Sequence, residues 1–99
     1  MLDSFTAETF RPLVGQTFVL RAGGERLELQ LAEVNLLGSA ARVSESSRNP
    51  FSLLFHGPVE PVWGQRTYPV EIPALGEFDL FLVPIGPDGG AMRYEAIFT

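Results

Sequence analysis

The sequence predicts an all-β domain, a six-stranded antiparallel barrel or barrel-like sandwich with one short N-terminal helix. Six stretches of alternating apolar and polar residues follow one another along the 99 residues, and turns rich in Gly and Pro separate them. The first fifteen residues lack this alternation. A chain of this length forms one domain, which we divide into an N-terminal helical segment, 1–15, and an antiparallel barrel or sandwich, 16–99.

The composition restricts the classes of partner. Twelve acidic residues against seven arginines give a net charge of −5. This charge argues against nucleic acid, because phosphate contacts require clustered cations, and it also argues against anionic membrane surfaces. The chain contains no cysteine, which removes disulfide and thiolate chemistry. Together with the lack of a signal-peptide pattern, this predicts a cytoplasmic protein.

The N-terminal segment and the first two strands follow in order. Ser4 or Thr6 could cap a short helix within Thr6 to Leu13, which Gly15 would end. From Gln16 to Arg21 the residues alternate as in a strand, and a turn with two glycines follows. One face of the next strand holds three leucines, Leu27, Leu29 and Leu31. The alternation slips at Ala32 to Val34, which predicts a bulge or a bend.

A weakly patterned connection, Asn35 to Pro50, leads to the third strand, Phe51 to Gly57. Its aromatic residues share one face, and the opposite face holds Ser52, Leu54 and His56. The fourth predicted strand, Arg66 to Ile72, contains Pro69. Because proline lacks a ladder donor, this strand is expected at an edge or beside a bulge.

The last two strands form a predicted hairpin. Phe78 to Ile85 and Met92 to Phe98 flank Gly86 to Gly90, where Gly supplies the turn conformation. The first of these strands is apolar on both faces. Phe78, Leu80 and Leu82 point one way, whereas Phe81, Val83 and Ile85 point the other. Sequential antiparallel pairing is the default for strands joined by such turns, and barrel closure would remove unpaired edges.

The outward face of this strand requires cover. Leu54 and Ile97 fall on the same side as Phe81 if the strands pair as predicted. An exposed cluster of this kind marks an interaction site on many proteins. The N-terminal helix would either plug one end of the barrel or lie over the outer face of Phe81, Val83 and Ile85. Two kinds of cover for that face remain open: the N-terminal segment, which we favour, or another chain in a homodimer or a hetero-complex. The segment would use Phe5, Phe10, Leu13 and Val14.

A proline-rich loop supplies a second recognition candidate, Trp63, with Val62 beside it. Aromatic anchors on loops contribute much of the binding energy when a partner buries them. The alternative is that Trp63 folds back over one end of the barrel. The predicted partner contacts are therefore Trp63, Val62, Phe81, Val83, Ile85, Leu54 and Ile97.

No arrangement of residues predicts catalysis, cofactor binding or a metal site. His56 is the single histidine and has Ser52 on its strand face, but no acidic residue completes a triad. One imidazole also gives a metal only one nitrogen ligand. Asp79 and Glu95 lie on strands that are expected to pair. Two carboxylates close together can have separated pKa values, as acid–base catalysis requires. We nevertheless expect an ordinary cross-strand ion pair between Asp79 and Arg93.

Several stretches together resemble a family of small bacterial proteins of about 100 residues and of unknown function, with the pattern PFSLLF…LFLVPIGPD…YEAIF. The stretches are Pro50 to Phe55, Gly57-Pro58, Tyr68, Leu75-Gly76, Leu80 to Asp88 and Tyr94 to Phe98. The likeness is strong in the C-terminal half and loose over Phe10 to Phe18. It implies genomic proximity to phage-tail-like, collar-domain proteins and supplies no catalytic residues.

We therefore predict a non-enzymatic structural or protein-interaction module, accessory to a phage-tail-like assembly. Its partner would be a protein, either a second copy of this chain or a phage-tail-like protein, and not nucleic acid or a membrane. No cofactor is expected. The alternative is a small-ligand-binding β-barrel, whose open lumen would be lined by Phe18, Leu29, Phe55 and Tyr68.

Overall fold

A computed structural model describes residues 5–37 and 50–98, and within them six antiparallel strands follow a short helical segment. The segment consists of the α-helix α1 (Ala7–Phe10) and a 3₁₀ turn (Arg11–Leu13). The strands are β1 (Thr17–Ala22), β2 (Glu25–Leu36), β3 (Phe51–Gly57), β4 (Arg66–Ile72), β5 (Gly76–Asp88) and β6 (Ala91–Phe98). The predicted all-β class with a short N-terminal helix is confirmed, and most of the predicted connection from Asn35 to Pro50 lies outside the described residues.

The strands close into a barrel in the order β1-β2-β3-β6-β5-β4, with β4 pairing to β1. The prediction of sequential pairing is wrong at β3, which pairs with β6 and not with β4. This register runs from Phe51 opposite Phe98 to Gly57 opposite Met92. It stacks the Phe51 and Phe98 rings with their centroids 4.6 Å apart. The pairing of β3 with β6 therefore brings large apolar side chains together.

The strand that contains Pro69 is not at an edge, because β4 has β5 on one side and β1 on the other. Its pairing with β1 is short, however, and joins Val19 to Glu71 and Leu20 to Val70. Pro69 lies just beyond these pairs, where the barrel does not require its missing N–H. Closure of the barrel therefore accommodates a residue that normally indicates an edge.

Bulges and turns adjust the lengths of the strands. The register between β2 and β3 shifts between Leu31 and Glu33, which confirms the bulge predicted at the slip of alternation. The β5–β6 turn is confirmed but shorter than expected. It consists of Gly89 and Gly90, both with positive φ (61° and 85°), between the paired residues Asp88 and Ala91. A second register shift falls in β5, between Pro84 and Gly86.

The interior is filled by the predicted inward faces of the strands. Five residues expected in the core are almost fully buried: Leu29, Leu53, Phe55, Leu80 and Leu82. The four residues predicted to line an open lumen are buried as well, and the rings of Phe18 and Phe55 meet edge to face at 5.1 Å. These side chains therefore form part of the packed core.

The N-terminal segment closes one end of the barrel and does not cover the outer face of β5. The backbone N–H of Thr6 donates to Thr9 Oγ1 (3.0 Å), which starts α1. Phe10 is fully buried, and Phe5 packs edge to face on Phe78 at 5.1 Å. The expectation that this segment covers Phe81 is wrong, because the open end of the barrel buries a phenylalanine more completely than its outer surface could.

Replacing Leu82 by Ala is expected to lower the free energy of unfolding by about 2–5 kcal/mol, because Leu82 is fully buried in the core. Chemical denaturation measures this loss. The matched control is Phe81→Ala on the adjacent, outward-facing position, which should lower it by less than about 1 kcal/mol. Equal losses for the two variants would mean that the faces of β5 are assigned wrongly.

Replacing Phe10 by Ala is expected to lower the free energy of unfolding by about 3–5 kcal/mol, because it removes the ring that fills the barrel end. Val14→Ala is the control, since Val14 is exposed just beyond the 3₁₀ turn. The two proteins are compared by urea denaturation. A Phe10→Ala variant as stable as the control would contradict the placement of the segment inside the barrel.

Candidate interaction surface

An apolar surface lies on the outside of the barrel across the neighbouring strands β3, β6 and β5. We call it the outer patch, and it consists of Leu54, Phe81, Val83, Ile85 and Ile97. Phe81 is 50% exposed, Ile97 57% and Ile85 37%, whereas Leu54 and Val83 are half-buried. Five of the predicted partner contacts therefore share one face of the sheet.

The strand registers determine the arrangement of the outer patch. Glu95 on β6 pairs with Leu54 of β3 on one side and with Val83 of β5 on the other. Phe81 and Ile97 each lie two residues from the Val83–Glu95 pair, and because the strands are antiparallel both lie in the same direction from it. The carboxylate of Glu95 therefore lies in the middle of the apolar side chains.

The bulge in β5 places Ile85 at one edge of the outer patch. The register moves from Pro84 opposite Tyr94 to Gly86 opposite Arg93, which leaves Ile85 as the extra residue. Gly86 has φ 104°, a conformation that favours glycine. Arg93 Nε donates a hydrogen bond to the carbonyl oxygen of Gly86 (3.2 Å). Arg93 is thus held against the bulge.

Glu95 has no charged or hydrogen-bonding partner for its carboxylate in residues 5–37 and 50–98. Arg93 lies two residues away on the same face but forms no ion pair with it in this part of the chain. Sequence reasoning considered Glu95 only as half of an acid–base pair. The alternation of β6, which points Arg93, Glu95 and Ile97 outward together, is the signal that places it in this surface.

The predicted relation of Asp79 to the last strand is wrong. Asp79 lies in the half of β5 that pairs with β4, where it is opposite Pro69. Glu95 instead faces Val83, in the other half of β5. Asp79 consequently forms neither a carboxylate pair with Glu95 nor the expected ion pair with Arg93 among the described residues. The reason is that β5 pairs with β4 over residues 76–82 and with β6 only from Val83 onward.

Ser52 and His56 lie on the outer face of β3, separated by Leu54. Ser52 is buried, and His56 is half-buried opposite Gln30 and Arg93. Within residues 5–37 and 50–98, no three side chains of the types that ligate metals come together. Glu95 lies opposite Leu54, between these two residues, but it forms no hydrogen bond or ion pair with either side chain in the described residues.

Trp63 lies at the other end of the barrel from α1, in the connection that crosses from β3 to β4. Its backbone N–H donates to the hydroxyl oxygen of Tyr94 (3.0 Å), and its ring lies 5.4 Å from that of Tyr68. The Tyr68 hydroxyl donates to the carbonyl of Gly64. Trp63 is half-buried and belongs to the closure of this end, whereas Val62 beside it is 49% exposed.

Burial raises the pKa of Tyr68, because the phenolate is poorly solvated under this loop. The nearby Arg66 opposes the increase, and Tyr94 adds to it. The guanidinium of Arg66 lies 5.3 Å from the centre of the Tyr68 ring. Tyr68 is therefore held in its neutral form, as a donor to the loop.

A raised pKa in the folded state means that the unfolded chain loses the Tyr68 proton first. The stabilisation from neutral Tyr68 should therefore be complete below about pH 10 and be lost as the pH rises through the folded-state pKa. Unfolding measured at a series of pH values, with Trp63 fluorescence as the probe, tests this. Tyr68→Phe is the control and should show a smaller loss of stability above pH ~10. Identical pH dependence in both proteins would contradict the raised pKa.

In the described residues, no helix has the length and apolar character needed to cross a membrane.

The comparisons with known proteins identify the family. No curated protein and no solved structure matches the chain. A family model described as "Domain of unknown function (DUF6916)" matches residues 5–98. The chain, whose matched region includes the whole barrel, therefore belongs to the DUF6916 family.

Proposed function

We propose that this domain is a non-enzymatic protein-interaction module that binds a partner protein through the outer patch. The observation that carries the proposal is the exposure of Phe81 and Ile97, each at least half exposed, on one face of the sheet. The barrel buries its other phenylalanines and its tyrosines wholly or largely, yet these two side chains remain on the outside. A bound partner would remove them from water.

The size of the outer patch agrees with a small recognition site. A half-exposed phenylalanine presents about 100 Å², so the exposed members together reach a few hundred Å². At about 25 cal/mol per Å², their burial would contribute several kcal/mol before the costs of association are subtracted. That contribution suits one focused contact within a larger interface.

The described residues support this proposal over the two other classes of function. The side chains that would line a ligand-binding lumen, Phe18, Leu29, Phe55 and Tyr68, are packed in the core. For enzymatic function, the outer face of β3 offers Ser52 and His56, but Glu95, which lies opposite Leu54 between them, forms no hydrogen bond or ion pair with the imidazole in the described residues. The outer patch, in contrast, is an apolar surface that the packing of the described residues leaves exposed to solvent.

We propose a component of a phage-tail-like assembly as the partner. The support is the resemblance in Pro50 to Phe55 and Leu80 to Asp88, stretches that supply both core residues and members of the outer patch. The net charge of −5 favours a protein partner over nucleic acid or an anionic membrane. Assembly would take place in the cytoplasm.

Affinity purification from the source cell, followed by mass spectrometry, tests the proposal. The baits are the native domain, a Phe81→Ser/Ile97→Ser double variant, and Val14→Ser as the control on an exposed apolar residue outside the outer patch. We expect a protein that is retained by the native domain and by Val14→Ser but lost with the double variant. Far-ultraviolet circular dichroism verifies that all three baits are folded.

The result separates the two parts of the proposal. A retained protein from a tail or collar supports the phage-tail-like partner, whereas a retained protein of another class supports only the interaction module. If the double variant retains the same proteins as the native domain, the outer patch is not the binding surface. Turnover of a co-purifying small molecule by the native domain would contradict the non-enzymatic role.

A further inference from the structure

We infer that the partner of the outer patch inserts a cationic side chain, arginine or lysine, that pairs with Glu95. This inference rests on the proposed function, because it describes the chemistry of the partner at the same surface. The occupant is thus a protein segment that is apolar and positively charged. Neither the family description nor the net charge of the domain specifies this requirement.

The position of Glu95 makes its burial unavoidable when the outer patch is covered. Leu54 and Val83 flank it directly on the neighbouring strands, and Phe81 and Ile97 lie on one side of it. A partner that contacts all four apolar side chains must therefore also exclude water from the carboxylate. A carboxylate removed from water opposes binding strongly unless an opposite charge or several donors compensate it.

The described residues do not supply that compensation. The carboxylate of Glu95 has no hydrogen bond or ion pair in this part of the chain, and the adjacent Arg93 donates through Nε to the bulge carbonyl of Gly86. Arg93 is also the only cation on the outward face of β6. On the neighbouring strand β3, His56 lies opposite Arg93 and likewise forms no ion pair with Glu95 in the described residues. We therefore assign the missing charge to the partner, and an arginine fork matches a carboxylate best.

A second copy of this chain fits the outer patch less well than a basic partner. In a two-fold contact whose axis passes at Glu95, in the middle of the patch, the two Glu95 carboxylates would lie against each other. Each copy also carries a net charge of −5, so the approach of two copies is repulsive at long range. The same charge attracts a basic segment, which favours a different protein as the occupant.

Selection from a random dodecapeptide phage library provides a defined probe. The immobilised proteins are the native domain, Glu95→Arg, and Phe81→Ser as a variant that disrupts the outer patch. We expect native selections to yield apolar peptides with Arg or Lys at one fixed position. Glu95→Arg selections should instead yield Asp or Glu at that position, because the charge requirement is reversed.

The dissociation constant of a selected peptide then measures the pairing. We expect Glu95→Gln to weaken binding at least tenfold, and Phe81→Ser to abolish it. The matched control is Glu77→Gln, which removes an exposed carboxylate on β5 opposite Glu71 and should leave binding unchanged. The effect of Glu95 should decrease with added salt, because salt screens the part of the attraction that remains exposed.

The outcomes distinguish the inference from the proposed function. Peptides that require Phe81 but show no cation, or that bind Glu95→Gln unchanged, overturn the inference and leave the interaction module intact. A failure to select any peptide that depends on Phe81 counts against both. A native dimer in light scattering that Phe81→Ser converts to a monomer would make a second copy the occupant, and it would also overturn the inference.

Discussion

The packing of Phe10 inside one end of the barrel connects most of the sheet. Its ring lies 6.4 Å from Phe18 of β1, 5.9 Å from Phe51 of β3 and 5.5 Å from Phe98 of β6. It also approaches Phe78 of β5 at 6.4 Å. One residue of a helix only four residues long thus joins four of the six strands. The position of this ring matters more than the length of the helix. Burial of Phe10 and its aromatic contacts stabilise the helix, whereas helix propensity contributes little in so short a segment.

The opposite end of the barrel is closed by the connection between β3 and β4. The connection from β3 to β4 crosses between strands on opposite sides of the barrel, and its Trp63 packs on Tyr68. Two tyrosine hydroxyls provide the polar contacts, one accepting from the Trp63 N–H and one donating to Gly64. Because the loop and α1 close the two ends, the exposed apolar side chains of the outer patch lie on the outer faces of the strands.

The outer patch follows from the same architecture. β5 pairs with β4 as far as Leu82 and with β6 from Val83 onward. Its outward apolar residues therefore lie around the point at which the pairing with β4 ends and the pairing with β6 begins. Phe81 faces Thr67 across β4, and Val83 faces Glu95 across β6. The surface therefore combines apolar side chains with one carboxylate, and for the partner that we propose this mixture is a more restrictive requirement than an apolar face alone.

The sequence by itself determined the strands and the direction of their faces. Alternation is a local property, so the burial of Leu80 and Leu82, the outward direction of Phe81 and the bulge near Ala32 could all be predicted. The outward position of Ile97 could be predicted in the same way. Tertiary structure decided which strands pair, because register depends on contacts between residues far apart in the chain. It thereby placed Phe10 inside the barrel, separated Asp79 from the last strand and surrounded Glu95 with apolar neighbours, none of which local spacing encodes.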